Sequence, residues 1–146
     1  MDAPNRADEV SLAQRTLTKD SPERMLTDGA VRPVIGAGDL VELKELLASV
    51  VVREELAGYL VDVVRATRQH ESVLVGAGPR ASQALIMAAR GYAAIGGRDF
   101  VTPDDIRVMA LPVLEHRVIL RPEFEIEGLM ISEVIKQILH QIAVPR

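Results

Sequence analysis

The sequence predicts an all-α fold, a helical bundle of the kind in which strands are limited to one or two very short pieces. Three observations carry this. Apolar residues recur at i, i+3, i+4 and i+7 through most of the chain, Pro and Gly interrupt that pattern at intervals that suit helices, and β-branched runs are confined to 50–52 and 118–120. The 146 residues form one expected domain, long enough to bury ~68 to 70% of the surface an unfolded chain exposes.

The first predicted helix spans 5–18, with Ala7, Val10, Ala13 and Leu17 on one face. Residues 19–38 hold Pro22, Gly29, Pro33, Gly36 and Gly38, so this stretch reads as a flexible connection or insertion. It accommodates at most one short helix, capped by Ser21 and begun by Pro22. Leu43, Leu46, Leu47 and Val50 then mark a helix at 39–49 with Asp39 as its cap. A helix at 53–69 follows, in which Leu56, Tyr59, Leu60, Val63 and Val64 form the apolar stripe.

Residues 70–79 read as a turn. Pro79 opens the next helix and Gly96-Gly97 ends it; its many alanines allow close approach of neighbours, Leu85, Ile86, Met87 and Ile95 fill space around it, and it is expected to be the central, most buried helix. Phe100 and Val101 are extended, after which Thr102 as cap, Pro103 at the first position and Asp104-Asp105 at the positive end begin another helix. Pro112 is expected to bend or end it near Leu111. The last helix carries Ile131, Val134, Ile135, Ile138, Leu139 and Ile142, is preceded by a loop at Gly128 and is ended by Pro145.

Composition excludes several function classes. Seventeen Lys and Arg against 21 Asp and Glu give a net charge of -4, so nucleic acid is repelled by the overall field, and the 14 arginines are spread over most helices. Tyr59, Tyr92, Phe100 and Phe124 are the only aromatics and are expected in the core rather than on a stacking surface. With no cysteine, disulfides and zinc-thiolate sites are out of reach. No apolar run approaches the length of a membrane span, and MDAPNRADEV is too polar for a secretory signal, so a cytoplasmic location is expected.

Catalytic spacings are absent as well. His70, His116 and His140 are scattered outside any metal pattern, and no metal site is expected. Neither GxSxG nor GxxxxGK[ST] occurs, so the chain is not expected to be an enzyme by itself. The glycines of VIGAGDL and VLVGAGPR read as turns, Asp104-Asp105 as a helix start, and Arg65 and Arg68 as a solvated face. Arg80 is different. The turn Gly76-Ala77-Gly78-Pro79 places this cation in the first turn of a helix, where it opposes the macrodipole at ~0.3 to 1 kcal/mol. A bound anion reverses that sign, because a guanidinium beside free backbone amides holds phosphate oxygens in a bidentate fork. The residues alone leave this open against an arginine that turns to solvent or pairs with a carboxylate.

The run VGAGPRASQALIMAARGYAAIGGRDFVTPDDIRVMALPVLEHRVILRP, with YLVDVVRATRQH upstream, resembles the C-terminal helical lid of MoxR-type AAA+ ATPases. The resemblance extends from PNRADEVSLAQRTL, which is similar to the segment after the last strand of the ATPase core, to the terminal VPR, so that 1–146 reads as a single lid domain. It implies that Arg80 is the sensor 2 residue, a catalytic arginine that contacts the γ-phosphate of ATP, with Gly78 and Pro79 beside the nucleotide. It further implies ATP and Mg2+ bound by an α/β core that contributes the phosphate loop, a ring-shaped hexameric parent, and chaperone-like maturation of client proteins, including partners with von Willebrand factor type A domains. Magnesium chelatase subunits are similar in carrying an insertion before sensor 2, which is how 19–38 would be read. A stand-alone helical adaptor without nucleotide function explains the amphipathic helices equally well, and an upstream phosphate loop would decide between the two.

Overall fold

The computed structural model describes residues 3–17 and 22–145, which divide into two compact units between Leu40 and Val41. The first unit holds α1 (Arg6–Thr16), α2 (Pro22–Thr27) and the start of α3 (Ala37–Ser49). Asn5 caps α1 by accepting the Asp8 N–H at 3.0 Å. Pro22 opens α2 as expected; its proposed cap, Ser21, lies outside the described residues. Asp39 is not the cap of α3. The helix starts two residues earlier, and Asp39 reaches back from inside the first turn to accept the Gly36 N–H at 2.7 Å.

The second unit contains the rest of α3, then α4 (Glu54–Ala66), β1 (Val73–Val75), α5 (Pro79–Ile95), α6 (Pro103–Leu114), a 3-10 turn (Glu115–Arg117), β2 (Ile119–Leu120), α7 (Pro122–Ile126) and α8 (Ile131–Gln141). The fold class is the predicted one, helical with a two-stranded antiparallel sheet of β1 and β2. Helix α5 packs against both α4 and α6, and α8 closes on α4 and α6. Leu56, Leu60, Val63, Leu85, Ile106, Leu114, Ile135 and Ile138 are fully buried between them, each worth about 1.5 to 3 kcal/mol of transfer from water.

The helix joint between α5 and α6 is strongly specified. Gly97, at φ 72, takes the left-handed conformation that a side chain resists, and the Gly97 and Arg98 amides return to Ala94 O at 2.9 Å and Ala93 O at 3.0 Å. Two predicted extended pieces meet beside it: Val51 N–H donates to Asp99 O at 2.8 Å and Val101 N–H to Val51 O at 2.9 Å, a parallel bridge. Thr102 and Asp105 then form a reciprocal capping box at the start of α6.

The structure corrects several expectations. Residues 70–79 are not simply a turn, since β1 lies within them and pairs with the expected extended piece at 118–120. Helix α6 does not end at Leu111 but runs through Pro112 to Leu114, because Leu114, two residues on, is fully buried and Val113 half-buried, which offsets the lost hydrogen bond; the break comes directly after, as a 3-10 turn. Helix α7, with Pro122 at its first position, is not among the predicted elements. Helix α8 stops at Gln141, before Pro145. Helix α5 is central but not the most buried, with four buried residues among 17 against five among 13 in α4. Its stripe is Ala81, Leu85, Ala89 and Ala93, so Met87, Tyr92 and Ile95 fall off it and are exposed. Of the four aromatics only Tyr59 is in the core: Phe124 is half-buried, and at 100–101 the strand alternation sends Val101 inward and Phe100 out.

Candidate functional site

The candidate site is built where α4 ends and α5 begins. Thr67, the residue after α4, is fully buried; its hydroxyl donates to Val64 O at 2.6 Å and accepts the Ala77 N–H at 2.9 Å. After α4 the chain turns at His70 to Ser72, where His70 Nδ1 lies 2.8 Å from Ser72 Oγ, forms β1 and comes back against the end of α4. Gly76 makes that return possible. A Cβ there would sit 2.6 Å from Arg68 Cγ and 2.7 Å from the Arg68 N and Cα atoms, so backbone lies on backbone. Ala77, 1% exposed, completes the anchor.

From this anchor Gly78 leads into α5 as its N-cap, Pro79 takes the first helical position and Arg80 the second. Gly78 has no side chain to cap the helix, and a Cβ there would meet open space. The first turn of α5 contains no Asp or Glu, whereas every other described helix carries at least one in its first turn. Arg80 is exposed, and among the described residues no hydrogen bond or ion pair engages its guanidinium. The open end of α5 thus presents its positive dipole, the Arg80 amide and the Arg80 guanidinium together, with no acidic side chain in its first turn to balance them. A phosphate group fits those donors.

The other candidates resolve into structural parts. Asp105 is buried, accepts both Nη atoms of Arg98 and the Thr102 N–H, and is held below the usual carboxylate range first by the Arg98 hydrogen bond, with burial opposing and Thr102 assisting. Asp104 is exposed beside it. His140 Nδ1 lies 2.6 Å from Lys136 O within α8, and His116 is exposed in the 3-10 turn. Arg65 and Arg68 are exposed. Among the described residues no group of three or more His, Asp or Glu side chains is placed to hold a metal ion. Among the described residues no helix is long and apolar enough to cross a membrane. Sequence reasoning missed Thr67 and the contact of Gly76 with Arg68; the only signal was a hydroxyl directly beyond the helical periodicity of α4.

Residues 65–138, from the end of α4 through most of α8, match the family model of the AAA lid domain. The chain belongs to that family. Its relatives identify the lid as the MoxR type: it is 35% identical over 130 residues to the chaperone MoxR1 of Mycobacterium tuberculosis, covering 83% of this chain and 34% of that protein. It is 38% identical over 115 residues to the uncharacterised protein YeaC of Bacillus subtilis, covering 79% of this chain and 36% of YeaC. A crystal structure from Cytophaga hutchinsonii, of a protein assigned as an ATPase, superposes with a TM-score of 0.75 at 25% identity over 100% of this chain and 45% of that one. The lid therefore spans about a third of the length of these curated relatives.

Proposed function

We propose that this lid works as part of an AAA+ ATPase, in which Arg80 is the sensor 2 arginine that contacts the γ-phosphate of ATP held by the α/β core. The single observation that carries the reading is the start of α5, where an exposed arginine, unpartnered among the described residues, occupies a helix N-terminus that has neither a capping side chain nor an acidic residue. In isolation that placement is electrostatically unfavourable, and a phosphate makes it favourable. ATP and Mg2+ are bound by the core in this reading, and the lid contributes the guanidinium fork. Because the fork attracts the γ-phosphate more than it attracts the diphosphate product, the preferred arrangement of lid and core changes on hydrolysis, and that change drives chaperone-like remodelling of client proteins. A ring-shaped homo-oligomer, and clients with von Willebrand factor type A domains, are part of the same proposal.

The test is ATP turnover by the full-length protein carrying Arg80→Ala. Turnover falls about tenfold or more, the size expected for one charge-assisted contact to a transferring phosphoryl group. Arg80→Lys restores part of it, since a point charge lacks the planar fork. Turnover equal to wild type in Arg80→Ala rejects the assignment.

A further inference from the structure

The arginine is only as well placed as the loop that presents it, and that loop hangs on one hydroxyl. We propose that Thr67 is a positioning residue for Arg80, acting through the Ala77 amide; this rests on the reading of Arg80 as a phosphate contact. Thr67 directly follows α4 and Arg80 lies in α5, yet just two residues separate Arg80 from the amide that Thr67 holds, and one of them is Pro79 with its fixed φ. The Thr67 hydroxyl works in both directions: its proton goes to Val64 O and one lone pair takes the Ala77 N–H, both in a buried site. A buried N–H left without that acceptor is costly, so the loop moves when the hydroxyl is removed. Gly76 adds steric definition from the other side, because its backbone contact with Arg68 leaves no room for the loop to slide toward α4.

Gly78 has open space around it and no hydrogen bond from a capping side chain. The start of α5 is consequently not fixed by its own cap, as α6 is by Thr102, but from behind through residue 77. Loosening that hold leaves the guanidinium present and charged but spread over more positions, and phosphoryl transfer is sensitive to such misplacement.

Four forms of the full-length protein test this: wild type, Thr67→Val, Arg80→Ala and the double variant. Valine keeps the shape of threonine and removes the acceptor. Thr67→Val alone lowers turnover roughly three- to tenfold, as loss of one positioning contact does, while in the Arg80→Ala background it lowers turnover no further. Thr67→Ser, which keeps the hydroxyl, stays near wild type. In the lid alone, amide exchange at Ala77 speeds up in Thr67→Val and not in Thr67→Ser. If Thr67→Val does not fold, Thr67→Cys, with its weak sulfur acceptor, shows the same pattern at smaller amplitude. Equal losses from Thr67→Val with and without Arg80, or no loss while Arg80→Ala is impaired, overturn the positioning role and leave the Arg80 reading standing. Unimpaired Arg80→Ala overturns that reading and this inference with it.

Discussion

Arg98 and Asp105 face each other fork to fork across the joint between α5 and α6, with Nη1 2.7 Å from Oδ2 and Nη2 2.6 Å from Oδ1. The same Oδ2 takes the Thr102 N–H at 2.7 Å and the Thr102 hydroxyl at 2.9 Å, so one carboxylate serves the capping box of α6 and the end of α5 at once. Asp105 is 3% exposed and Arg98 30%, which leaves the pair open to solvent on the arginine side only. The angle between the two helices that form the centre of the lid is thereby tied to one ionisable group.

That tie predicts an acid limb of stability. The folded-state pKa of Asp105 is lowered, chiefly by Arg98, so between the folded and unfolded values the unfolded chain binds more protons and stability rises with pH. The contribution is complete above the ordinary value of 3.8 and is lost as pH falls below it toward the lowered folded value. Thermal melts of wild type and Asp105→Asn between about pH 2 and pH 5 check this. The variant melts lower at neutral pH, and the gap narrows on acidification; a gap that stays constant with pH removes Asp105 as the cause.

Tyr59 gives the opposite kind of prediction. Its ring is buried in α4, its hydroxyl has no hydrogen-bond partner among the described residues, and burial pushes its pKa up. Tyr59→Phe removes an unsatisfied polar atom and keeps the packing, so urea unfolding should give a stability unchanged or raised by up to about 1 kcal/mol. Tyr59→Ala should lose about 3 to 5 kcal/mol through the cavity it leaves. A clear loss of stability in Tyr59→Phe means that the hydroxyl has a partner, such as a buried water.

Purified alone, the lid should release no phosphate from ATP. Phosphoryl transfer requires a cradle for the phosphates, a coordinated magnesium ion and a positioned water, whereas Arg80, in the proposed reading, supplies a single contact. Phosphate release by the purified chain is the measurement. Turnover that persists through repeated purification and disappears in Arg80→Ala would mean that this chain carries a complete site of its own.

How much of this was legible follows from the range of the forces involved. Helices α4 and α8 were readable because their apolar stripes, at Leu56 to Val64 and Val134 to Leu139, are local patterns, and α5 because Pro79 and Gly96-Gly97 punctuate it. Strand β1 was not, because three residues carry no period and only the pairing of Val73 with Leu120 and Val75 with Ile119 makes them a strand. Pro112 misled because its local penalty is visible in sequence while the burial of Leu114 that offsets it is not. Arg80 stood out because a cation at a helix start violates a local rule, and such violations are where function is expected. Thr67 obeys local rules, and its bond to Ala77 spans ten residues, so a hydroxyl just past the periodicity of α4 was too weak a signal to single it out.

The stability of the lid itself should distinguish Arg80 from these structural groups. Arg80 is exposed, makes no hydrogen bond or ion pair among the described residues, and opposes the dipole of α5. Its removal in Arg80→Ala takes away an unfavourable helix-end cation and adds a good helix former, so the melting temperature of the lid stays the same or rises slightly. Arg80→Glu should raise it further, since an acid would then occupy the first turn as it does in the other described helices. Both substitutions should abolish the fork that phosphate would use, so gain in stability and loss of turnover are expected to run in opposite directions at this one position. Melting curves of the lid and turnover of the full-length protein measure the two sides, and a marked drop in melting temperature for Arg80→Ala would make the arginine a structural residue.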